Sequence, residues 1–477
     1  MATITGATID QASSDLRLTP EKYTTIDNLI KTTKDFVMPD LVESYGDQGI
    51  TGFLNLVGAV NSGGTSDQVD WWEAGRRHRV YTGTFSANTA GGASTAPGSV
   101  DFTITTASSG DGEAHVAGLL QANDVVMSAD SGIRYVVNEA STATNPVVKL
   151  ERLDGDDASP AESTTAGLKL IHLGNLYAQG TNQPTHFQDS DVVKRSNPFM
   201  IVKDRYQVNG SQATNIGWVN LGNGDYRWFM YGEQEARKRF EDRREMMLLF
   251  GEKNAATTSD IGANNDLGAT FAGSEGYITA VEDRGIVISN ANANPMDSFA
   301  EFDDLILELD KQGAPSEYAM YLNRKQDLAI DDMLASGVST GVTAGLAGQF
   351  GAFNNDADMA VRLGFKSFTR GGYTFHKHDW KLLNDPTLLG ATNYLQGSMI
   401  PLTQVADPRS GAKAPALAMY YKEANGYSRE MEHWVTGGGV LGHSNNGDTG
   451  ADVATFHYRS EINLVTRAAN QHVVIKG

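Results

Sequence analysis

A single long helical segment constrains the fold of this chain more than any other stretch. Residues 225–251 read DYRWFMYGEQEARKRFEDRREMMLLFG, with no proline, one internal glycine and charges of both signs at helical spacing. Asp225 is predicted to cap the N-terminus of this helix, because its short side chain can accept a hydrogen bond from a free backbone N–H. Gly251 is predicted to end the helix in the left-handed conformation that glycine tolerates.

The charges on this helix form three pairs whose partners lie four residues apart. Each such pair stabilises a helix by only about 0.2–0.5 kcal/mol, so the pairs indicate the surroundings of the helix more than its stability. The apolar side chains form a thin stripe, which predicts a helix that lies across a surface and is not buried on all sides. A solvated surface helix is the plainer interpretation that these residues leave open. The predicted pairs are Glu233–Arg237, Glu235–Arg239 and Arg237–Glu241.

Composition excludes several classes of protein. The chain has 477 residues, no cysteine and a net charge of −20, and a length of this order corresponds to about three domains. Without cysteine there is no disulfide framework, thiol nucleophile or cysteine zinc site. A strongly acidic chain is a poor candidate for sequence-independent nucleic-acid binding, because phosphates repel most of its surface. The N-terminus lacks the pattern of a signal peptide, and no apolar run is long enough to span a membrane.

Two extended segments flank a polar, β-rich region. The first, 66–83, contains VDWWEAGRRHRVY, in which two tryptophans precede a cluster of arginines: Trp71, Trp72, Arg76, Arg77 and Arg79. Such a cluster in an acidic chain indicates an acidic partner. That partner is nucleic acid stacked on the tryptophans or, as the short cluster and the overall charge favour, an acidic patch on another copy. A solvated strand edge protected by arginine is the third interpretation. The second segment, 181–224, contains NPFMIVKDRYQV and leads into the long helix.

The region between these segments is predicted to be a small all-β module, 84–180. Short strand-like runs alternate there with turn signals, and the runs are VDFTIT, NDVVMS, IRYVV, PVVKLERL and GLKLIHL. Asp154-Gly155-Asp156-Asp157 resembles the start of a calcium loop. It lacks the glycine at position six and the glutamate at position twelve, so we interpret it as a solvated turn.

An α+β core is predicted after the long helix. YITAV and GIVIS are expected to be strands, and Ser298 and Glu301 form a capping box that opens a helix ending at Gly313. The strand EYAMYL and a helix capped by Asn323 follow, and the glycine-rich segment 337–355 is expected to be a loop. The later strands are predicted to be FKSFT, YTFHKHDW, LAMYYK, MEHWVT and TFHYRSEINLVTRA, the last of which should end the chain.

No motif of a known catalytic chemistry is present. The phosphate-binding loop, the dinucleotide fingerprint, the nucleophile elbow and the paired-histidine zinc motif are all missing from the sequence. His376 and His378 lie on one face of a predicted strand, but no third ligand can be assigned to them. We therefore predict no catalytic residue, no metal and no cofactor.

In the order of its parts, the chain resembles the major capsid proteins of tailed bacteriophages, whose Hong-Kong-97-type fold is shared with herpesvirus shells. VDWWEAGRRHRVY and NPFMIVKDRYQV resemble that family's E-loop hairpin, and EQEARKRFEDRREMMLLFG resembles its spine helix. FAEFDDLILELDKQGAPSEYAMYLNRKQDLAIDDML resembles the helix–strand–helix that follows. IPLTQVADPRSG, GYSREMEHWVTGG and FHYRSEINLVTRAANQHVVI are similar to the final strands in large-genome phages, with the crAss-like group as one candidate.

The resemblance implies an α+β fold built around arms, a spine helix and two domains. The module 84–180 departs from the family's pattern, and we interpret it as an all-β insertion domain in the E-loop. The implied parts are an N-terminal arm at 1–65, an E-loop hairpin at 66–83 and 181–224, a spine helix and peripheral domain at 225–312, and an axial domain at 313–477 whose final strands return to the peripheral domain.

The resemblance also implies a function and a set of partners. The function is that of a structural major capsid protein that assembles as hexamers and pentamers into an icosahedral virion shell around double-stranded DNA, without sequence-specific binding. The partners are the chain itself and portal, scaffold, and decoration or auxiliary capsid proteins, with assembly in the host cytoplasm and no membrane. We expect a separate scaffold, since the chain starts directly with the arm, and no covalent crosslinking.

The side chains expected at interfaces between copies belong to the two arms and to the long helix. Another virion or surface-layer structural protein, such as a tail or decoration protein, is the alternative. The β-rich middle fits that alternative, but the long helix and the α+β core do not, and no constellation of residues supports an enzyme. The candidate residues are Trp71, Trp72, Arg76, Arg77, Arg79, Lys194, Lys203, Glu233, Arg237, Arg239, Arg243 and Arg244.

Overall fold

The computed structural model describes an α+β fold that is mostly β. Contacts divide the chain into two units, here called the barrel unit (Asp70–Ser196) and the main unit (Met1–Val69 with Asn197–Gly477). Most of the N-terminal arm lies outside the described residues, as do the proposed helix cap at Asp225 and most of the calcium-like turn. The described residues are 60–75, 78, 80–86, 99–105, 120–141, 146–154, 166–184, 192–213, 228–253, 273–289, 295–343, 367–387, 389–391, 394–402, 405–406, 413–437 and 452–477.

The strands and helices are named here in chain order. The strands are β1 Val60–Ser62, β2 Gln68–Ala74, β3 Val80–Phe85, β4 Ser99–Ile104, β5 Asp124–Ser128, β6 Arg134–Glu139, β7 Val147–Arg152, β8 Leu168–Asn175, β9 Val192–Pro198, β10 Met200–Asn209, β11 Ile286–Ser289, β12 Glu317–Leu322, β13 Ser367–Arg370, β14 Tyr373–Asp379, β15 Leu395–Pro401, β16 Val405–Ala406, β17 Lys413–Ala414, β18 Leu417–Tyr421, β19 Glu423–Ala424, β20 Tyr427–Ser428, β21 Glu432–Thr436, β22 Val453–Thr466 and β23 Val473–Lys476. The α-helices are α1 Gly210–Ala213, α2 Trp228–Phe250, α3 Tyr277–Arg284, α4 Phe299–Gln312 and α5 Arg324–Thr343, and short 3-10 helices occupy Lys381–Asn384, Leu389–Ala391 and Ala469–Gln471.

The barrel unit contains a closed six-stranded barrel with the order β3-β4-β7-β6-β5-β8. Alternate side chains point inward and fill it, and the ring centroids of Phe85 and Phe102 lie 4.9 Å apart at its centre. The five short runs predicted to be strands in 84–180 are confirmed as β4 to β8. The first strand of the barrel is β3, so the predicted boundary between residues 83 and 84 falls inside a strand. The strands β2 and β9, which flank the barrel in sequence, form a two-stranded sheet, the β2–β9 ribbon.

A five-stranded sheet in the main unit carries the long helix. Its order is β1-β18-β22-β10, and β21 also pairs with β22. The strand β10 pairs antiparallel with β22 from Met200 opposite Ile462 to Asn209 opposite Val453, so its partner is β22 and not the segment 66–83. Helix α2 packs on one face of this sheet through a buried cluster of Ala236, Phe240, Phe456 and Tyr458.

A six-stranded mixed sheet with the order β11-β23-β15-β12-β14-β13 forms the second half of the main unit. Helix α4 covers it with four buried side chains at helical spacing, as predicted: Phe302, Leu305, Ile306 and Leu309. Helix α5 is held to β14 by the Lys377 side chain, which is 4% exposed. Its ammonium lies 2.8 Å from Oδ1 of Asp327 and 2.5 Å from Oδ1 of Asp331.

Local signals at the ends of two helices are confirmed. The side chain of Ser298 accepts a hydrogen bond from the Glu301 N–H, the Glu301 carboxylate accepts one from the Ser298 N–H, and Gly313 ends α4 in the left-handed conformation with φ 63°. Asn323 caps α5, since its Oδ1 accepts a 2.7 Å hydrogen bond from the Gln326 N–H. These ends were predictable because each depends on residues only a few positions apart.

Four predictions about local structure were wrong. YITAV lies in helix α3, whose buried side chains Tyr277, Ile278, Ala280 and Val281 follow a helical pattern, so tertiary burial overrides the β-branched composition. Helix α5 continues to Thr343, into the segment predicted to be a loop. The chain ends on β23 and not on β22. Gly251 is not left-handed. A Cβ at that position would lie 2.6 Å from the Met247 and Ser274 carbonyl oxygens, so glycine is required there by a close backbone approach.

Candidate interaction surfaces

The outer face of α2 carries ion pairs between its own side chains. Arg237 Nε lies 3.2 Å from Glu241 Oε1, and Arg239 Nη2 lies 2.7 Å from Glu235 Oε1. Two of the three predicted pairs are therefore confirmed. Three of the four side chains are more than half exposed and Glu241 is partly exposed, so their contribution to stability is at most a few tenths of a kcal/mol per pair. A face of this kind keeps its charges available to another surface.

Glu233, the remaining residue of the predicted pairs, faces the sheet instead. Its Oε1 lies 3.7 Å from Nε2 of His433 on β21. The His433 ring stacks on Tyr458, with centroids 5.0 Å apart, and Tyr458 stacks in turn on Phe240 of the helix. A shallow cleft of about 290 Å³ opens beside this stack, lined by Glu233, Arg237, Met431, His433 and Tyr458. The cleft combines aromatic surface with one charge of each sign.

Arg243 and Arg244 connect the helix to the rest of the main unit. Arg243 Nη1 lies 2.6 Å from Asp204 Oδ2 on β10, while its own side chain remains exposed. Arg244 is buried, and its Nη1 donates a 3.4 Å hydrogen bond to the backbone carbonyl of Glu430. The two arginines therefore contribute to holding α2 on its sheet within one chain.

A buried carboxyl group follows these arginines on α2. Glu245 is 2% exposed, and its Oε2 has no hydrogen-bond partner among the described residues. Burial raises the pKa of Glu245 to about 7 against the opposing effect of the Arg244 charge, and the like charges of Asp242 and Glu241 add to the increase. The group therefore changes its charge close to neutral pH.

The β2–β9 ribbon presents one buried and one exposed tryptophan. Trp71 is 8% exposed, and its indole N–H donates a 3.1 Å hydrogen bond to Glu73 Oε1. Trp72 is 65% exposed. Lys194 Nζ lies 2.8 Å from Asp70 Oδ2, so this predicted interface cation is paired across the ribbon. The structure does not describe the predicted arginine cluster, which consists of Arg76, Arg77 and Arg79.

Asn197, near the end of β9, is the central residue of a buried hydrogen-bond network in the main unit. Its Nδ2 donates to the carbonyl oxygens of Glu275 and Leu464 at 2.9 Å and 2.7 Å. Its Oδ1 accepts a 2.8 Å hydrogen bond from the Glu275 N–H, and its own carbonyl accepts one of 2.9 Å from Asn463 Nδ2. This single amide joins the end of β9, the segment before α3 and the strand β22.

One surface is not evident from the sequence, namely the face of the five-stranded sheet that points away from α2. Lys203 and Arg205 of β10 are exposed there, and Arg205 lies opposite His457 of β22. His457 in turn lies opposite Trp434 of β21, and Arg459 of β22 lies opposite Lys203. The signal in the sequence is the recurrence of a basic residue or histidine at every second position in VKDRY and FHYRS. It becomes informative only once β10 and β22 are known to pair.

The described residues contain neither a cluster of metal-binding side chains nor a membrane-spanning helix. No three His, Cys, Asp or Glu side chains are grouped among them to hold a metal ion. The His378 ring stacks on Tyr321 with centroids 5.1 Å apart, and burial together with the His376 charge lowers the pKa of His378. In the same part of the chain, no helix is both long enough and apolar enough to cross a membrane.

Comparison with known proteins returns solved structures only. No protein-family model and no curated protein matches the sequence. The chain is similar to a capsid structure of cyanophage P-SCSP1u, with 10% identity, a TM-score of 0.41 and coverage of 98% of this chain and 99% of that chain. It is also similar to a structure of Mycobacterium phage Ogopogo, with 5% identity, a TM-score of 0.43 and coverage of 95% and 99%. A third is the mature capsid of bacteriophage PhiM1, with 10% identity, a TM-score of 0.32 and coverage of 64% and 79%. Two of these three structures are phage capsids by name.

Proposed function

We propose that this chain is a structural major capsid protein that assembles as hexamers and pentamers into an icosahedral shell around double-stranded DNA. The observation that carries the proposal is the β2–β9 ribbon. A two-stranded ribbon is marginally stable by itself in water. This one still exposes Trp72, Val192 and Val193 in the single chain. Large exposed apolar side chains on such an element indicate a surface that another copy covers.

The order of the elements supports a Hong-Kong-97-type architecture. We assign 1–65 to an N-terminal arm, the β2–β9 ribbon to the E-loop hairpin predicted within 66–83 and 181–224, and the barrel, which begins with β3, to the all-β insertion domain predicted at 84–180. The spine helix and peripheral domain would comprise 225–312 together with β10 and β22, because α2 packs on the sheet that contains these two strands. The axial domain would begin at 313 and contain most of the six-stranded sheet, with the final strands returning to the peripheral domain.

Charge also supports assembly through many modest contacts. Arg237 and Arg239 of α2 are paired on their own helix and remain exposed, so a neighbouring acidic surface can engage them without a large desolvation cost. Weak polar contacts of this kind let a misplaced subunit dissociate during assembly. We propose virion localisation after assembly in the host cytoplasm, with portal, scaffold and decoration or auxiliary capsid proteins as partners. We propose no catalytic role and no covalent crosslinking.

Electron microscopy with a matched variant tests the proposal. The purified chain, alone and then with lysate of its source to supply a scaffold, should form closed polyhedral shells or six-fold rings. Trp72→Ala should strongly reduce assembly and leave thermal unfolding unchanged, because the side chain is 65% exposed in the single chain. Leu307→Ala, which removes a 59% exposed leucine from α4, is the control for losing any exposed apolar group.

Two outcomes contradict the proposed function, and a third removes the ribbon from the interface. Tubes or flat sheets would favour the alternative of a tail or surface-layer protein. Monomers in both preparations would remove self-assembly as the function. Shells that form equally well with Trp72→Ala would leave the capsid function in place but remove the ribbon from the interface.

A further inference from the structure

The open face of the five-stranded sheet, opposite α2, carries an ordered group of cations. Because side chains alternate across a strand, Lys203 and Arg205 point to this face while Val202, Asp204 and Tyr206 point to the other. Val202 and Tyr206 pack against the α2 cluster, and Asp204 forms an ion pair with Arg243 of α2. These three side chains therefore face α2, and Lys203 and Arg205 face away from it. Lys203 and Arg205 are exposed, and neither forms an ion pair with a described residue.

The register of the sheet places these cations in two rows across three strands. One row contains Arg205, His457 and Trp434, and the other contains Lys203, Arg459 and Glu432. Adjacent rows on one face are separated by about 6.8 Å along a strand, and neighbouring strands by about 4.8 Å. Both rows therefore lie close enough together for one short segment of a partner to contact all of them.

The two rows have a charge opposite to that of the whole chain. Three cations and one carboxylate leave a net charge of +2, whereas the chain carries −20. Burial and the Arg205 charge lower the pKa of His457, so this histidine does not add to the positive charge at neutral pH. The single carboxylate, Glu432, is paired with Arg459, which leaves the β10 cations uncompensated.

An exposed aromatic side chain completes the patch. The Trp434 ring stacks on His457, with centroids 5.0 Å apart and planes 11° apart, and the Arg459 guanidinium lies 5.0 Å from the centre of the same ring. These contacts fix the indole in place while it stays 40% exposed. A rigid, half-exposed tryptophan beside arginine is the composition that is enriched where protein surfaces bind each other.

We propose that this face, defined by Lys203, Arg205, His457, Arg459 and Trp434, binds an acidic surface of a second copy of this chain. The inference rests on the proposed shell function and adds a specific contact to it. Charge complementarity favours this contact, because the chain has 58 acidic against 38 basic residues, so acidic surface is abundant on every copy while this patch is positive. Nucleic acid is disfavoured as the occupant, because the net charge repels a polyanion and Glu432 lies within the patch.

Zero-length crosslinking of assembled protein tests this contact directly. Shells are formed from a mixture of unlabelled and ¹⁵N-labelled full-length chains and treated with a carbodiimide, which joins an amine to a carboxylate in direct contact. Mass spectrometry should then find Lys203 joined to an aspartate or glutamate of the other isotope. Lys325 is the control, since it is an exposed lysine on α5 with no ion pair to a described residue.

Charge reversal provides the second measurement. Lys203→Glu should weaken self-association at low salt by about tenfold relative to Lys325→Glu, and the difference should shrink at high salt, where charges are screened. Both variants should unfold at the same temperature as the parent chain, because both side chains are exposed. Fluorescence anisotropy of a labelled DNA duplex, measured with the same proteins, tests whether the patch binds nucleic acid instead.

The outcomes separate this inference from the proposed function. Shells in which Lys203 forms no intermolecular link, and whose assembly is equally sensitive to both substitutions, overturn the contact and leave the shell function intact. If Lys203→Glu abolishes DNA binding without affecting self-association, the patch is a polyanion site, and the proposed contact between copies is overturned. A parent chain that forms no assembly under any condition removes the proposed function, and the inference with it.

Discussion

Asn197→Asp is a change of one atom that should destabilise the main unit in a pH-dependent way. In the native protein, Asn197 Nδ2 donates to two carbonyl oxygens, at 2.9 Å and 2.7 Å, in a fully buried position. An aspartate keeps the shape but loses these donors, and an unsatisfied buried acceptor costs about 1–3 kcal/mol. An ionised carboxylate would also point a negative charge at both oxygens.

The sign of the pH dependence follows from the pKa of the introduced group. Burial and the facing carbonyls should raise its pKa in the folded state above the unfolded value of about 3.9. Near pH 4 the protonated acid still donates one hydrogen bond, so the free energy of unfolding should fall by only about 1–3 kcal/mol. Above that pH the loss should grow by up to about 1.4 kcal/mol per pH unit until the folded-state pKa is reached.

Guanidinium unfolding followed by tryptophan fluorescence, at pH 5 and pH 8, measures the effect. Asn470→Asp is the matched control, because Asn470 is exposed and donates one 3.2 Å hydrogen bond to Gln312. It should change the free energy of unfolding by less than about 0.5 kcal/mol at both pH values. If Asn197→Asp costs no more than the control, or costs the same at both pH values, the network around Asn197 does not stabilise the fold as described.

Three further changes are predicted from buried or crowded positions. Glu245→Gln should raise the free energy of unfolding at pH 8 by on the order of 2 kcal/mol. The pKa of Glu245 is about 7 in the folded state and lower in the unfolded state, so ionisation of this buried group destabilises the fold above the unfolded-state pKa. At pH 4 the substitution should be nearly neutral, and denaturant titrations at the two pH values measure both effects. Gly251→Ala should lower the free energy of unfolding by about 1–3 kcal/mol, because its Cβ would meet two carbonyl oxygens at 2.6 Å; a melting temperature equal to that of the parent would contradict this. Lys377→Met leaves Asp331 without its ion-pair partner and Asp327 with Arg324 as its remaining cation, and it should cost about 3–5 kcal/mol.

Features that depend on residues close together in the sequence are predictable from it, whereas features that depend on distant residues are not. Helix α4 was predicted with both of its ends, because the Ser298 capping box, the apolar spacing and Gly313 are all contained in the segment itself. Helix α3 was predicted to be a strand, because its helical form depends on burial against distant strands. Gly251 marks the correct helix boundary for a reason that the sequence does not show, because part of the backbone that approaches it belongs to Ser274, which is distant in sequence.

The interaction surfaces show the same limit. The charged face of α2 was predictable, because residues three or four apart in a helix must be neighbours. The open sheet face was not predictable, because Arg205 and His457 are 252 positions apart and meet only through the pairing of β10 with β22. The sequence places Lys203 in an arm, whereas the structure places it on a sheet in which its own strand β10 pairs with β22 near the end of the chain.

The way the barrel joins the chain has a consequence for how such a gene can change. The chain enters at Val80 and leaves after Asn175, and Val80 pairs with Ile171 on the neighbouring strand β8. Because β3 and β8 are antiparallel neighbours, entry and exit lie at the same end of the barrel, with Asn175 four residues beyond the partner of Val80. A closed barrel also leaves no strand edge that the rest of the chain must cover. A segment with adjacent ends can be deleted across a short turn, exchanged between genomes, or replaced by a foreign peptide for display, with little rearrangement at the point of attachment.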